Sequence, residues 1–185
     1  IYPISADSTL PFEQHRDIFY LSGIDQEESI LVLFPDSKKN SFKEMLFIRE
    51  TNDHITHWEG EKLTKEKAKD ISGIDNIYWT NEFKDILNQI IKQSENVYIN
   101  TNEHYRQNVE TQTREDRFIE ELKKIGGINF KKSNPILQKQ RSIKDEIEIR
   151  LIEHACNITR KGFERVLKFV KPGVWEYEIE AEFSH

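Results

Sequence analysis

The chain has 185 residues, room for one ordinary domain or for one domain and the start of another. A hydrophobic share of 36% beside a charged share of 32%, with Ile, Leu, Phe and Val as the bulk apolar types, excludes wholesale disorder. The net charge is −6, from 27 basic and 33 acidic residues that are interleaved along the chain. That balance argues against a nucleic-acid partner, because phosphate binding needs a positive field.

The first strand signal is Ser29-Ile-Leu-Val-Leu-Phe34, which ends at the turn dipeptide Pro35-Asp36. Glu44-Met-Leu-Phe-Ile-Arg-Glu50 follows after a polar loop, and the two runs read as a hairpin or as neighbouring strands. Residues 51–60 read as a loop that caps the strand end. Residues 63–71 form a plausible helix that stops before Gly73. Short runs at 76–79, 96–100 and 128–130 are β-branched or aromatic, as a half-buried pleated surface prefers. Between them, Phe83, Ile86, Leu87, Ile90 and Ile91 share one face of a helix over 81–93. A further helix over 114–125 carries Phe118, Ile119, Leu122 and Ile125, and Gly126-Gly127 supplies its stop. No internal repeat stands out. Alternating strands and helices predict an α/β layer, with helices against a mixed or largely parallel sheet.

The pattern changes near Asn134-Pro135, read as a break. A long helix is expected after Ser142 as N-cap, with Asp145 and Glu146 in its first turn, running to about Val170. Ile143, Ile147, Leu151, Ala155, Ile158, Gly162 and Val166 form a stripe along it. Pro172-Gly173 ends that helix and another begins near Glu176. The expected division is a first domain over 1–137 and, over 138–185, a linker with the start of a second. The chain begins at Ile1, its one methionine is Met45, and it stops early in that last helix. It is therefore expected to be a piece of a longer protein, whose true start, with any targeting segment, lies before Ile1.

Chemistry-bearing residues are sparse. Phosphate-loop, Cys-x-x-Cys, nucleophile-elbow and His-Glu-x-x-His signatures are absent. His54, His57 and Glu59 lie close together, but the bland reading, a loop at a strand end, outweighs a zinc site. Glu182 and His185 read as a solvated helix face, and the sequon at Asn157 falls inside a helix, where acceptors are disfavoured. The one cysteine, Cys156, rules out an internal disulfide, suits a reducing compartment and reads as a packed small residue. No stretch is long and apolar enough for a membrane-spanning helix. On these residues alone the reading stops at an α/β domain and the start of a helical element, with no catalytic or metal-binding residue assigned and no substrate-binding residue known.

Three segments carry a resemblance. Residues 8–24, Ser-Thr-Leu-Pro-Phe-Glu-Gln-His-Arg-Asp-Ile-Phe-Tyr-Leu-Ser-Gly-Ile, resemble the opening of the N-terminal domain of Xaa-Pro aminopeptidases (aminopeptidase P, in the creatinase and prolidase group). Residues 46–83 are similar to its next landmark: a strand ending in Arg49-Glu50, then Trp58-Glu59-Gly60, a helix, Gly73-Ile74-Asp75 and Glu82-Phe83. Residues 141–185, from Arg-Ser-Ile-Lys to Pro-Gly-Val-Trp-Glu-Tyr-Glu-Ile-Glu-Ala-Glu-Phe, resemble the linker and first helices of its catalytic pita-bread domain. Trp175 departs from the pattern, because the family commonly has a capping Ser or Thr before the Glu-Tyr-Glu.

The resemblance implies a creatinase-like mixed-sheet N-terminal domain. Its parent would be a hydrolase that removes the first residue from peptides with proline second. It further implies two divalent ions, usually manganese, on two Asp, one His and two Glu that lie beyond residue 185, so none is carried over. It implies a cytoplasmic homo-oligomer whose N-terminal domain restricts access to the active site, with Trp58, Trp79 and Tyr105 as candidates for a contact surface or for the domain's own core. The alternatives are a prolidase-like dipeptidase and a metal-free, histone-binding relative of the same fold.

Overall fold

The computed structural model describes residues 3–5, 8–9, 11–100 and 112–185; β1, β2, Asp53 and Trp58 are described by backbone alone. The architecture is mixed α/β, and the chain divides into two compact units, Ile1–Ser133 and Asn134–His185.

The first unit opens with two short antiparallel strands, β1 (Pro3–Ser5) and β2 (Ser8–Thr9). Helix α1 (Arg16–Ser22) follows. Its polar, aromatic sequence gave no periodic signal, and it starts because the His15 ring Nδ1 accepts the Asp17 N–H at 3.2 Å. The central sheet is β3 (Ile30–Leu33), β4 (Glu44–Ile48) and β5 (Ile77–Trp79), with β4 in the middle. Strands β3 and β4 pair antiparallel, Ile30 opposite Phe47, as the hairpin reading expects. Strands β4 and β5 pair parallel, Leu46 beside Ile77, so the sheet is mixed.

Helix α2 (Asp53–Glu59) occupies the stretch expected to be a loop. The correction has a local cause: the Asn52 side chain accepts the Ile55 N–H at 2.9 Å, an N-cap strong enough to start a seven-residue helix. Helix α3 (Lys65–Ser72) is capped by Thr64 and stops at left-handed Gly73. Helix α4 (Phe83–Ile90) is flanked by single 3₁₀ turns at Thr80–Glu82 and Ile91–Gln93. Strand β6 (Asn96–Ile99) and, after helix α5 (Arg114–Lys123), strand β7 (Asn129–Lys132) form a separate parallel pair.

One short motif is used twice. Ser-Gly-Ile-Asp occurs at 22–25 and again at 72–75. In each copy the serine hydroxyl donates to the carbonyl four residues back at 2.7 Å and accepts the isoleucine N–H. In each, the glycine takes the left-handed conformation that closes a helix, φ 68° at Gly23 and 69° at Gly73. Both isoleucines then enter the same cluster, with Leu46, Ile48 and Ala68.

Strand β4 carries the core. Met45, Leu46, Phe47 and Ile48 all have 0% exposure. Because side chains alternate along a strand, Leu46 and Ile48 serve the cluster with Ile24 and Ile74, while Met45 and Phe47 serve a second one with Phe42 and Ile90. Trp79 packs on the first cluster, with Lys65 Nζ 4.7 Å from its ring centroid, so its own-core reading holds. Phe47 stacks on Tyr78 at 5.3 Å and meets Phe83 edge-on at 5.1 Å.

The second unit is helical. Asn134-Pro135 opens a helix, α6 (Asn134–Ser142), where a break was expected, because proline fits the first turn, whose N–H groups have no intrahelical partner. Helix α7 (Glu146–Phe169) then starts from Asp145, not Ser142: Asp145 Oδ1 accepts the Glu148 N–H at 2.8 Å and Glu148 accepts the Asp145 N–H at 3.1 Å. Ser142 instead ends α6, its hydroxyl donating to the Lys139 carbonyl. Helix α8 (Glu176–Ser184) begins at Trp175, whose side chain caps nothing; Glu178 reaches back to accept the Trp175 N–H at 2.8 Å and replaces the missing cap from inside the helix.

Helices α7 and α8 meet through Phe163 and Phe183, edge to face at 5.2 Å, and through Arg165 and Glu182 at 2.8 Å. Gly162 permits this approach, since a Cβ there would stand 3.1 Å from the Phe183 ring. Much of the α7 stripe is open: Ile147 is 60% exposed and Leu151 65%, while Ile143, expected on the same helix, lies in the link before it. Cys156 is exposed too, which overturns its reading as a packed residue.

Phe47→Ala is expected to cost about 3–5 kcal/mol, through lost burial and the cavity left between Tyr78 and Phe83. Leu33→Ala, on a half-exposed edge of the same sheet, should cost under about 1 kcal/mol. Urea unfolding followed by tryptophan fluorescence measures both.

Candidate functional site

The residues that open the second family-like segment, Arg49 and Glu59, come together in the fold. Arg49 stands just past the C-terminal end of β4, and Glu59 is the last residue of α2. The Arg49 guanidinium donates from both terminal nitrogens to the two Glu59 carboxylate oxygens, at 2.5 and 2.9 Å. This fork-to-fork geometry is the strongest form of an exposed ion pair.

Two further charges close a ring. Glu27, 8% exposed, lies in the loop before β3. Its Oε1 accepts Lys62 Nζ at 2.5 Å and stands 3.5 Å from Arg49 Nη1. Lys62 also lies 3.9 Å from Glu59. Signs alternate round the ring Glu27, Lys62, Glu59, Arg49, so each charge faces two opposites. Next to it, Gln26 Oε1 accepts the Leu63 N–H at 2.6 Å, and the Gln26 carbonyl accepts from Gln14 and Ser29. The loop before β3 is thus stitched to the segment after α2.

The ring sets its own protonation. Burial pushes the Glu27 carboxyl up, but the hydrogen bond from Lys62, a backbone N–H, and the charges of Lys62 and Arg49 outweigh it and hold it below the usual carboxylate range. The Arg49 hydrogen bonds hold Glu59 low, with the Arg49 and Lys62 charges adding to them. Arg49 is raised in turn, first by its hydrogen bond to Glu59.

The arrangement binds backbone to backbone; it does not place a nucleophile beside a base. His54 and His57 ride on α2, but both oxygens of Glu59 are committed to Arg49, so the three do not assemble a ligand set. Among the described residues, no group of three or more His, Cys, Asp or Glu side chains could hold a metal ion. At the far end, Glu182 pairs with Arg165 rather than with His185. Asn157 sits in the middle of α7. The Trp58 side chain and the whole of Tyr105 lie outside the described residues. Sequence reasoning missed Glu27 and Lys62, because charges 35 positions apart carry no periodic signal.

This α/β unit with its mixed sheet is of a known class. The family model of the aminopeptidase P N-terminal domain matches residues 1–98, and the chain belongs to that family. The Xaa-Pro aminopeptidase of Haemophilus influenzae is 29% identical over 182 residues, 97% of this chain and 39% of that protein. A solved structure from Bacillus anthracis, described as an aminopeptidase P, has a TM-score of 0.85 at 27% identity over 98% of this chain and 43% of its own. A zinc-substituted Escherichia coli aminopeptidase P in complex with product has a TM-score of 0.81 at 25% identity, with 99% and 42% covered. The chain therefore spans about two fifths of the length of the relatives it matches.

Since Glu27 and Glu59 are both depressed, their stabilisation is complete above the ordinary carboxylate value of 4.5 and is lost as pH falls through the lowered folded-state values. The urea midpoint of the first unit should drop on acidification below pH 4.5. Glu59→Gln should make that drop shallower, as unfolding curves at stepped pH would record.

Proposed function

We propose that the chain is the front part of an Xaa-Pro aminopeptidase, a hydrolase that removes the N-terminal residue from peptides with proline second. One observation carries this reading: relatives of that name align over nearly the whole chain, across both of its units. The open stripe on α7 supports it: Ile147, Leu151 and Ile158 are exposed at helical spacing, the pattern of a face that another element covers. Residues 138–185 would then begin a second domain, whose remaining elements cover that stripe.

The bond before proline is a demanding target. The tertiary amide has no N–H to donate and the ring fixes φ, so strand-like capture of the substrate fails. Metal dependence of the parent enzyme is part of the proposal, with manganese as the ion. The described residues do not fit such a site, so its ligands would come from elsewhere in the protein, and this chain's contribution is structural. The first unit would narrow the approach to the active site so that a chain end enters and a long body does not. It would also support self-association. The single cysteine fits a reducing, cytoplasmic setting.

The test compares the protein read from the uninterrupted reading frame with residues 1–185 alone. The longer protein is expected to release the first residue from an Xaa-Pro-Xaa tripeptide, not from its Xaa-Ala-Xaa counterpart, and to lose that activity with a chelator. Residues 1–185 with added manganese should release none. Metal-dependent turnover by the short chain would overturn the proposal, as would indifference of the long one to proline.

A further inference from the structure

We infer that α2 is a strap fastened by charge, which lifts from the first unit as a piece while the β4 core stays closed. None of the described α2 side chains enters either apolar cluster. Of those side chains only Ile55 is even half-buried, while His54, Thr56, His57 and Glu59 are exposed. By contrast α3, immediately downstream, anchors itself with fully buried Ala68, and α4 with Ile90. The forked pair from Arg49 to Glu59, backed by the reach of Lys62 between Glu59 and Glu27, fastens the C-terminal end of α2.

Both ends of α2 can turn. Asn52 is extended, with φ −151° and ψ 172°, and its side chain caps α2 itself. Gly60 takes φ 82° and ψ 173°, and a Cβ placed there would meet nothing within 4 Å, so no packing clamps the exit. A helix of seven residues does not persist alone in water, so its order depends on its contacts with the rest of the unit, the Glu59 fastening among them. Glu28 adds its charge to the field on Arg49 and lies 3.9 Å from Arg114 at the start of α5. The device is independent of which peptide bond the parent protein cuts.

Amide hydrogen exchange on the intact protein tests it. In Glu59→Gln, the amides of 56–60 should exchange at least tenfold faster, while those of 45–48 keep their wild-type rates. Raising sodium chloride from 0.05 to 1 M should loosen 56–60 in the wild type in the same direction, because screening shortens to roughly 3 Å at 1 M. Reversing both partners, Arg49→Glu with Glu59→Arg, should restore part of the protection. The inference is overturned if 56–60 is unmoved by Glu59→Gln and by salt, or if 45–48 loosens in step with it.

Discussion

The structure depends on one constraint: β4 must be buried on both faces at once. A five-residue strand in mid-sheet can do this only if each alternate side chain finds its own apolar layer. Leu46 and Ile48 find theirs in Ile24, Ala68 and Ile74; Met45 and Phe47 find theirs in Phe42 and Ile90. The two layers come from distant sequence, and β4 is what they share. The two Ser-Gly-Ile-Asp stops serve this closure, ending α1 and α3 so that an isoleucine from each enters the layer of Leu46 and Ile48.

The charged ring sits where that burial ends. Arg49 follows directly on Ile48, so the strand passes from complete burial to a guanidinium within one residue. A cation at that point needs partners, and buried Glu27 and exposed Glu59 supply them, both reaching Arg49 Nη1. Neither carboxylate tolerates neutralisation without leaving a cation underpaired, which is why both are held in the charged form. The ring thus joins two things a small unit must do, ending a core strand and attaching an element whose described side chains lie outside the apolar layers.

The second unit follows a different logic. Helices α7 and α8 meet where Phe183 packs against Gly162 and Phe163 and where Arg165 pairs with Glu182, and they leave much of the remaining α7 stripe open. A stripe at helical spacing in the sequence says that a face is meant to be covered. It does not say that the cover lies within the same stretch of chain. The contrast with β4, whose cover is complete, is the clearest physical sign of how differently the two units are finished.

The sequence by itself determined the elements whose signal is local and periodic. The β3–β4 hairpin, α3 to Gly73, the apolar face of α4, the double-glycine stop after α5 and the end of α7 near Val170 could all be read from spacing and turn residues. The family could be read as well, because the order of its motifs is preserved along the chain. Short helices escaped, since α1, α2 and α6 rest on a single cap or a proline rather than on a repeating face. Only the tertiary structure decided that Glu27 and Lys62 join Arg49 and Glu59, that Trp79 packs inward, and that Cys156 and much of the α7 stripe face outward. The reason is physical: periodicity records which side of an element is apolar, whereas pairing and cover depend on what distant chain arrives against it.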